Sequence, residues 1–383
     1  MTITFPDGFR AAGIAAGVKA SGDKDLALVV NDGPSRVAAG VFTSNRVHAA
    51  PVKWSRQVLT DGQLSAVVLN SGGANACTGP KGFQDTHATA EKVAEALGVG
   101  AVEVAVCSTG LIGEFLPMDA VLSGVERAVK ELSDAGGADA AEAIMTTDTK
   151  PKSCTWSQDG WGIGGMAKGA GMLAPGLATM LVVLTTDAEI TAETADEALR
   201  EACRLTFDRL DSDGAMSTND TVLLLSSGAS GIRPDPRLFT VMLTEACEDL
   251  AEQLLGDAEG STKSVAIEVV NAASEDDAVT VGRSIARNNL VKTAIFGGDP
   301  NWGRILAAVG TTDAAFDADE LDVAINGVWI CREGAAAEDR SLVDMSEREV
   351  HILVDLKAGG ETATILTNDL SHAYVHENSA YSS

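Results

Sequence analysis

The sequence predicts a protein of mixed α/β or α+β class. Short runs rich in Val, Ile, Leu and Ala recur along its 383 residues. Some stretches between these runs carry apolar residues at the i, i+3, i+4, i+7 spacing of an amphipathic helix. Such alternation is typical of chains that pack helices against sheets. With 45% hydrophobic residues, the chain can bury a large core.

Seven short apolar runs are predicted as β-strands because polar or turn-forming residues bound each of them. In chain order they are 26–30, 66–70, 102–107, 179–184, 222–227, 264–270 and 350–356.

Two helices have clear periodicity. The first is predicted to open with a capping box from Thr194 to Glu197, and the second to end at Gly256 as a left-handed cap. The residues predicted to face inward are Ala198, Leu199, Ala202 and Leu205 in the first helix, and Leu243, Ala246, Cys247, Leu250, Ala251 and Leu254 in the second.

The polar, proline-containing segment SGIRPDPR, Ser230 to Arg237, is the predicted boundary between two regions. It divides the chain into an N-terminal core, 1–235, and a smaller C-terminal α+β region, 236–383.

Charge and cysteine content exclude several classes of protein. The formal net charge of −27 comes from 28 Lys+Arg and 55 Asp+Glu, which disfavours binding to nucleic acid or to an anionic membrane. An acidic charge balance favours binding of a cationic small molecule, or it serves solubility alone. The N-terminus lacks the pattern of a secretory signal. The six scattered cysteines are therefore predicted to be buried, reduced thiols of a cytoplasmic protein.

The uncharged stretch from Gly169 to Thr186 is almost long enough to span a bilayer. Pro175, three glycines and several threonines interrupt it, and its flanks lack the Lys/Arg bias of a membrane anchor. We therefore predict a soluble segment rather than a membrane span.

Three motifs resemble known binding sites but fail on context or spacing. The stretch GWGIGG, 160–165, is predicted as a glycine-rich turn, since the helix and the ribose-binding acid of a dinucleotide site are missing. The stretch DSDGAMSTND, 211–220, has its glycine at the wrong place for a calcium loop. His372 and His376 lack the HExxH sequence and are predicted to be surface residues. No metal site is predicted.

Thr179 begins a predicted strand directly after the turn APGLA. Attack of its hydroxyl on the carbonyl of Ala178 would convert the peptide bond to an ester, and hydrolysis would leave Thr179 as a new N-terminus. Its freed α-amine, with an ordinary pKa of roughly 7.7–8.0, could then take the proton from Oγ. An uncleaved core strand is the alternative that the pattern alone favours.

Six blocks of sequence resemble the ornithine acetyltransferase family, the glutamate N-acetyltransferases of arginine biosynthesis. The blocks follow the order of that family, and the resemblance covers essentially the whole chain. The blocks are AVCSTGLIG (105–113), AIMTTDTKPK (143–152), KGAGMLAPGLATML (168–181), DAEGSTK (257–263), GGDPNWGRI (297–305) and HENSAYSS (376–383).

This resemblance implies a self-cleaving enzyme in which Thr179 is the nucleophile. Thr109 and Gly110 would form the oxyanion hole. The implied substrate-binding residues are Thr146 or Thr147, Lys168, Thr179, Glu259, Asn378 and Ser383. Lys168 and Glu259 could match the carboxylate and the ammonium of the substrate.

The resemblance also implies a reaction, an assembly and a fold. An acetyl group would pass from N2-acetyl-L-ornithine to L-glutamate by ping-pong transfer, with no metal or bound cofactor. Acetyl-CoA is a further donor in bifunctional members. The chains 1–178 and 179–383 would stay together as an α2β2 heterotetramer. A layered, sandwich-like α/β core resembling that of self-processing aminopeptidases is expected, with a smaller C-terminal domain.

Some positions differ from the usual family pattern, namely Gly73, Ala215 and Met216 and the run APGLAT before the predicted cut. These differences bear on substrate preference more than on reaction type. Two alternatives stay open: a self-processing aminopeptidase or amidase that releases the acyl group to water, and a non-catalytic binding protein with an uncut chain.

Overall fold

The structure is a computed structural model that describes residues 2–174 and 180–380. Within those residues it contains fifteen strands and ten α-helices. The strands are β1 Phe9–Ile14, β2 Leu26–Asn31, β3 Ala38–Phe42, β4 Ala66–Gly73, β5 Val104–Leu111, β6 Lys152–Gln158, β7 Trp161–Lys168, β8 Leu181–Thr186, β9 Thr221–Ser226, β10 Ser264–Ala272, β11 Asp322–Ile325, β12 Val328–Arg332, β13 Ala335–Ala336, β14 Glu349–Asp355 and β15 Glu361–Asn368. The helices are α1 Ala50–Val58, α2 Gly79–Leu97, α3 Met118–Glu131, α4 Gly137–Ala143, α5 Ala192–Leu205, α6 Pro236–Gly256, α7 Glu275–Ala286, α8 Asn289–Phe296, α9 Trp302–Val309 and α10 His372–Ala380.

The predicted strands are confirmed wherever they lie in the described residues, as β2, β4, β5, β8, β9, β10 and β14. The third begins later than predicted, at Val104, because residues 101–103 form a short 3-10 helix. The predicted strand at 179–184 corresponds to β8 from Leu181 onward, and its first residue lies outside the described part of the chain.

Two sheets form the N-terminal part of the fold, and they share a hydrophobic core. One has four strands in the order β1-β2-β4-β5, and the other has five in the order β3-β9-β8-β7-β6. Strand β8 shows how the second sheet divides its faces. Leu181 and Val183 pack into the core shared with the four-stranded sheet, whereas Val182 and Leu184 pack with helices on the opposite side.

Helices cover the outer faces of these two sheets. Buried residues of α2 and α3 join the core of the four-stranded sheet, and buried residues of α5 and α6 join the outer core of the five-stranded sheet. The predicted layered α/β core is therefore confirmed. This layering brings the ends of several strands to one place, where the site described below lies.

A third sheet, in the order β13-β12-β11-β14-β10-β15, has its own core with α7, α8 and α9. That core begins in sequence at Val265. The segment at 230–237 leads into α6, which packs on the five-stranded sheet rather than in the third core. The division into 1–235 and 236–383 stays a prediction.

Three local predictions were wrong in detail. The capping residue of α5 is Thr191, whose side chain accepts a hydrogen bond from the Thr194 amide, so the helix begins one turn earlier than predicted. Leu205, at the last position of α5, is 42% exposed. Gly256 ends α6 as predicted, but it is the last helical residue and has no positive φ.

The glycine-rich stretch 160–165 is mostly strand, not turn. Only Gly160 lies at the turn, with φ +91°, and β7 begins at Trp161. A glycine at 164 leaves room for neighbouring backbone, because a Cβ there would lie 2.5 Å from the carbonyl oxygen of Thr2.

The cysteines are free, as predicted, and five of the six are buried; Cys77 is exposed, against the prediction. The exposed positions predicted for His372 and His376 are confirmed. Among the described helices, none combines the length and apolar character that a membrane span requires.

Candidate active site

A polar cavity lies where the carboxyl ends of β5 and β7 meet the segments that follow α4 and α6. Helix α10 closes one side of it. The described residues that line the cavity are Ala74, Thr109, Gly110, Ile112, Thr146, Thr147, Lys168, Gly171, Met172, Ser217, Thr218, Asn219, Glu259 and Asn378.

Seven of the residues predicted to carry the reaction line this one cavity. They are Thr109, Gly110, Thr146, Thr147, Lys168, Glu259 and Asn378. The other three predicted residues, Ala178, Thr179 and Ser383, lie outside the described residues. Described residues on both sides of the segment 175–179 lie near the cavity. Met172 lines it, and the Met180 amide donates over 3.1 Å to Oδ1 of Asp220, the residue after the lining residue Asn219.

Lys168 and Thr109 are in direct contact. The Lys168 ammonium donates a hydrogen bond of 3.2 Å to Thr109 Oγ1, and both residues are buried, with exposed fractions of 1% and 3%. Burial lowers the pKa of Lys168 from its usual value, while the carboxylates of Asp148, Asp220 and Glu259 act against that change. Among the described residues that line the cavity, Lys168 is the one cation and Glu259 the one acid, so the cavity offers one group of each sign to a ligand.

Gly110 has a backbone conformation and surroundings that require glycine. Its φ is +129°, and a Cβ at this position would lie 2.5 Å from the amide nitrogen of Gly73 in the neighbouring strand β4. Strands β4 and β5 run parallel here, with Gly72 opposite Gly110. The absence of side chains lets the two strand ends approach each other at the cavity wall.

Glu259 is held at the cavity by the segment that follows β7 and by α10. Its amide donates to the carbonyl of Ala170 over 3.0 Å, and its Oε2 atom accepts from the Asn378 side chain over 3.0 Å. A Cβ on Gly171 would lie 2.5 Å from the same Oε2 atom. The carboxylate therefore rests against a glycine that leaves room for it.

A second, wider cavity of about 570 Å³ adjoins the first and shares Thr147, Glu259 and Asn378 with it. Asp257, Glu377 and His376 also line it, whereas no Lys or Arg does so among residues 2–174 and 180–380. The approach to the site is thus acidic, which favours passage of a cationic molecule.

Comparison with known proteins shows the family. The model of the ArgJ family matches residues 10–383. The chain belongs to the ArgJ family. It is 68% identical over its full length, and that of the relative, to the arginine biosynthesis bifunctional protein ArgJ of Streptomyces coelicolor, and 62% identical, again over both full lengths, to the protein of the same name from Thermobifida fusca. A solved structure of ornithine acetyltransferase with ornithine from Mycobacterium tuberculosis is 62% identical over 47% of this chain and 96% of that chain, with a TM-score of 0.45.

Membership of the ArgJ family confirms the predicted family and an acetyltransferase of arginine biosynthesis. It favours this activity over the aminopeptidase or amidase alternative and over a non-catalytic binding protein.

Sequence reasoning missed several residues that shape this ArgJ-family site. Asn219 is buried, and its side-chain amide donates to the carbonyls of Ala74 and Ser108 over 2.6 and 2.8 Å, which fixes the residue directly before Thr109. Asn219 lies in the stretch 211–220, which was rejected as a calcium loop and in which only Ala215 and Met216 were compared with the family pattern. Its Asn-Asp ending, directly before the buried strand β9, was the available signal.

A buried charge network was missed as well. It consists of Asp148, Lys152 and Asp257, and all three fall in motif blocks that carried the family resemblance. Within the described ranges, no group of three or more His, Cys, Asp or Glu residues is arranged to hold a metal ion.

Proposed function

We propose that the protein cleaves itself between Ala178 and Thr179, and that Thr179 then carries an acetyl group from N2-acetyl-L-ornithine to L-glutamate. The observation that supports this most directly is the hydrogen bond from Lys168 to Thr109 in a cavity also lined by Gly110 and Glu259.

That hydrogen bond orients the Thr109 hydroxyl. A protonated ammonium can only donate, so Thr109 Oγ1 accepts from Lys168 and keeps its own proton for another acceptor. The proton can then point at the oxygen of a tetrahedral intermediate. Together with the Gly110 amide, it would form the oxyanion hole, where one donor contributes typically 10²–10³-fold in rate.

The proposed reaction has two acyl-transfer steps with balanced proton movements. Thr179 Oγ attacks the acetyl carbonyl while its α-amine takes the hydroxyl proton. Collapse of the intermediate breaks the C–N bond, and the proton goes to the leaving amine of ornithine. The amine of glutamate then attacks the acetyl ester and gives a proton to the α-amine of Thr179. The ester C–O bond breaks, that proton passes to Thr179 Oγ, and N-acetylglutamate is released. No metal or bound cofactor takes part.

Charge complementarity supports the proposed donor. N-acetylornithine carries an α-carboxylate and a side-chain ammonium. Lys168 would pair with the carboxylate, and Glu259, held by Asn378, would pair with the ammonium. Thr146, Thr147 and Ser383 would complete the binding site. Free ornithine leaves as a cation through the acidic outer cavity.

Three further features belong to this proposal. Acetyl-CoA would serve as a second donor, which the word bifunctional in the names of the relatives supports. The two chains would assemble as α2β2, and size-exclusion chromatography with light scattering would then give twice the mass of the uncut 383-residue chain. The protein would work in the cytoplasm, where free cysteines persist.

The denatured mass of the purified protein tests the proposal. Two chains are expected, one that ends at Ala178 and one that begins at Thr179. The second should gain one acetyl group on brief mixing with N-acetylornithine without glutamate. Thr179→Ala should abolish both cleavage and acetylation, whereas Thr60→Ala, at an exposed threonine, should leave both intact. A whole, unmodified wild-type chain would contradict the proposal, and release of free acetate in place of N-acetylglutamate would indicate a hydrolase.

A further inference from the structure

Three buried charged residues outside the proposed reaction centre form one network. Lys152 Nζ lies 2.6 Å from Asp148 Oδ1 and 2.6 Å from Asp257 Oδ2. The side chains of Lys152 and Asp148 are 0% exposed and that of Asp257 is 4% exposed. Charges this deeply buried are tolerated only when paired and hydrogen-bonded.

Asp148 connects two segments that line the cavity. Its Oδ2 atom accepts from the Thr146 amide over 3.0 Å, and its Oδ1 atom accepts from the Gly169 amide over 2.7 Å. Thr146 lines the cavity, and Gly169 directly follows Lys168. The carboxylate therefore fixes the backbone on both sides of the site.

Asp257 adds the third segment. It accepts hydrogen bonds from the amide and the hydroxyl of Thr149, the former over 3.0 Å. It lies two residues before Glu259, whose amide is bound to Ala170. Through Lys152, the network ties the segments 146–149, 168–170 and 257–259 together.

The network also sets the electrostatic surroundings of Lys168. The carboxyl groups of Asp148, Asp220 and Glu259 face its ammonium, and Lys152 faces it with positive charge. Burial raises the pKa of Asp220 well above its usual value. Burial alone would raise the pKa of Asp148, but the charges of Lys168 and Lys152 and the hydrogen bonds outweigh it and lower the value to about 2. Lys19 also lies within electrostatic reach of Asp148. Asp148 is therefore ionised across the working range of pH.

We propose that Asp148 is a positioning residue for acetyl transfer. It fixes Thr146 through its amide, Lys168 through the amide of the next residue, Gly169, and Glu259 through Lys152 and Asp257. Its charge holds the Lys168 ammonium in the protonated form that donates to Thr109. The role in transfer rests on the proposed function; the electrostatic coupling of Asp148 to Lys168 does not.

Two substitutions in the network have opposite electrostatic effects on Lys168. Asp148→Asn removes a negative charge that faces the ammonium, so Lys168 should lose its proton at lower pH. Lys152→Met removes a positive charge, so Lys168 should hold its proton to higher pH. A loss of packing alone would not produce shifts of opposite sign.

The experiment is a pH titration of the ¹³Cε NMR resonance of Lys168 in the full-length protein without substrate. Lys168→Arg identifies the resonance by its absence. The midpoint is expected to fall by about one pH unit in Asp148→Asn, to rise in Lys152→Met, and to lie between them in the double variant. Equal midpoints in all variants, or shifts of the same sign, would overturn the proposal.

The double variant keeps the test valid if one single variant fails to fold, because it removes one charge of each sign. Its midpoint should lie below that of Lys152→Met and above that of Asp148→Asn. A midpoint equal to that of the remaining single variant would overturn the proposal.

Steady-state kinetics then separate positioning from the proposed function. In Asp148→Asn, KM for N-acetylornithine should rise about tenfold, a larger change than the fall in kcat. The alkaline limb of the kcat/KM profile should move to lower pH. If the wild-type protein transfers no acetyl group but the variants shift the Lys168 midpoint as expected, the proposed function is rejected and the coupling stands. If the wild-type protein transfers acetyl and the variants leave the Lys168 midpoint unshifted, the positioning role alone is rejected.

Discussion

The Nζ atom of Lys168 donates to the Oγ1 atom of Thr109 over 3.2 Å, and it joins two residues 59 positions apart in the chain. Lys168 ends β7 in the five-stranded sheet, whereas Thr109 lies near the end of β5 in the four-stranded sheet. The contact thus bridges the two layers of the core at the candidate site.

Lys168→Met should lower kcat/KM for transfer from N-acetylornithine to glutamate by roughly 10²–10³-fold, because the Thr109 hydroxyl loses the donor that orients it. Steady-state assays of N-acetylglutamate formation measure the effect. Lys53→Met, at an exposed lysine, serves as the control and should change kcat/KM little. A Lys168→Met enzyme within threefold of the wild type would contradict the role given to this contact.

Gly110→Ala should destabilise the fold and abolish most of the transfer activity. The new Cβ would lie 2.5 Å from the Gly73 nitrogen, in addition to the strain at φ +129°. Gly113→Ala is the matched control, because its φ is also positive, at +88°, but no atom lies within 4 Å of the added Cβ. The control should lose only the roughly 1–2 kcal/mol of backbone strain, measured by thermal unfolding, and keep its activity. Equal losses in both variants would show that the close approach of β4 and β5 is unimportant.

Gly171→Ala should separate binding from stability. The added methyl group would lie 2.5 Å from Glu259 Oε2, and the end of this flexible side chain can move away at little cost. We expect KM for N-acetylornithine to rise about tenfold, while the free energy of unfolding changes by less than about 1 kcal/mol. In a Glu259→Gln background the same substitution should have a smaller effect on KM. Full additivity of the two substitutions would contradict the proposed contact between Glu259 and substrate.

Lys292 should make stability depend on alkaline pH. Burial lowers its pKa from 10.5 to about 8, although Asp213, Asp369 and Asp211 act against this. Between pH 8 and 10.5 the unfolded state binds more protons than the folded state, so the contribution of this group to stability rises with pH. Below pH 8 both states are protonated, and the buried charge costs the fold about 3 kcal/mol.

The test compares the wild-type sequence with Lys292→Met in a Thr179→Ala background, so that a single chain unfolds. The difference in unfolding free energy, wild type minus variant, should increase by about 2 kcal/mol from pH 8 to pH 9.5 in urea titrations. Lys130→Met, at an exposed lysine, is the control. A difference that stays constant or falls over this range would contradict the assigned pKa.

Local patterns predicted many of the elements but not their ends. The runs that became β2, β9 and β14 were predicted to within one residue, because a buried strand needs a continuous apolar stretch. The cap of α5 was misplaced by three residues, since Thr191 and Thr194 both precede acceptable helical sequence and only the observed hydrogen bond distinguishes them. The glycines of β7 were misinterpreted as a turn because close packing against neighbouring backbone and side chains, which the sequence does not display, is what requires them.

Sequence patterns were enough to predict the family and the residue types of the candidate site, because each motif block is short and contiguous and can be recognised without its partners. The way in which the blocks meet depends on the tertiary structure. Lys152 and Asp257 are 105 residues apart in the chain, yet their charged atoms lie 2.6 Å from each other, and Asp148 joins both to the backbone beside Lys168. Such contacts follow from the packing of sheets and helices into layers, where burial makes every unpaired charge costly and so selects one arrangement of partners.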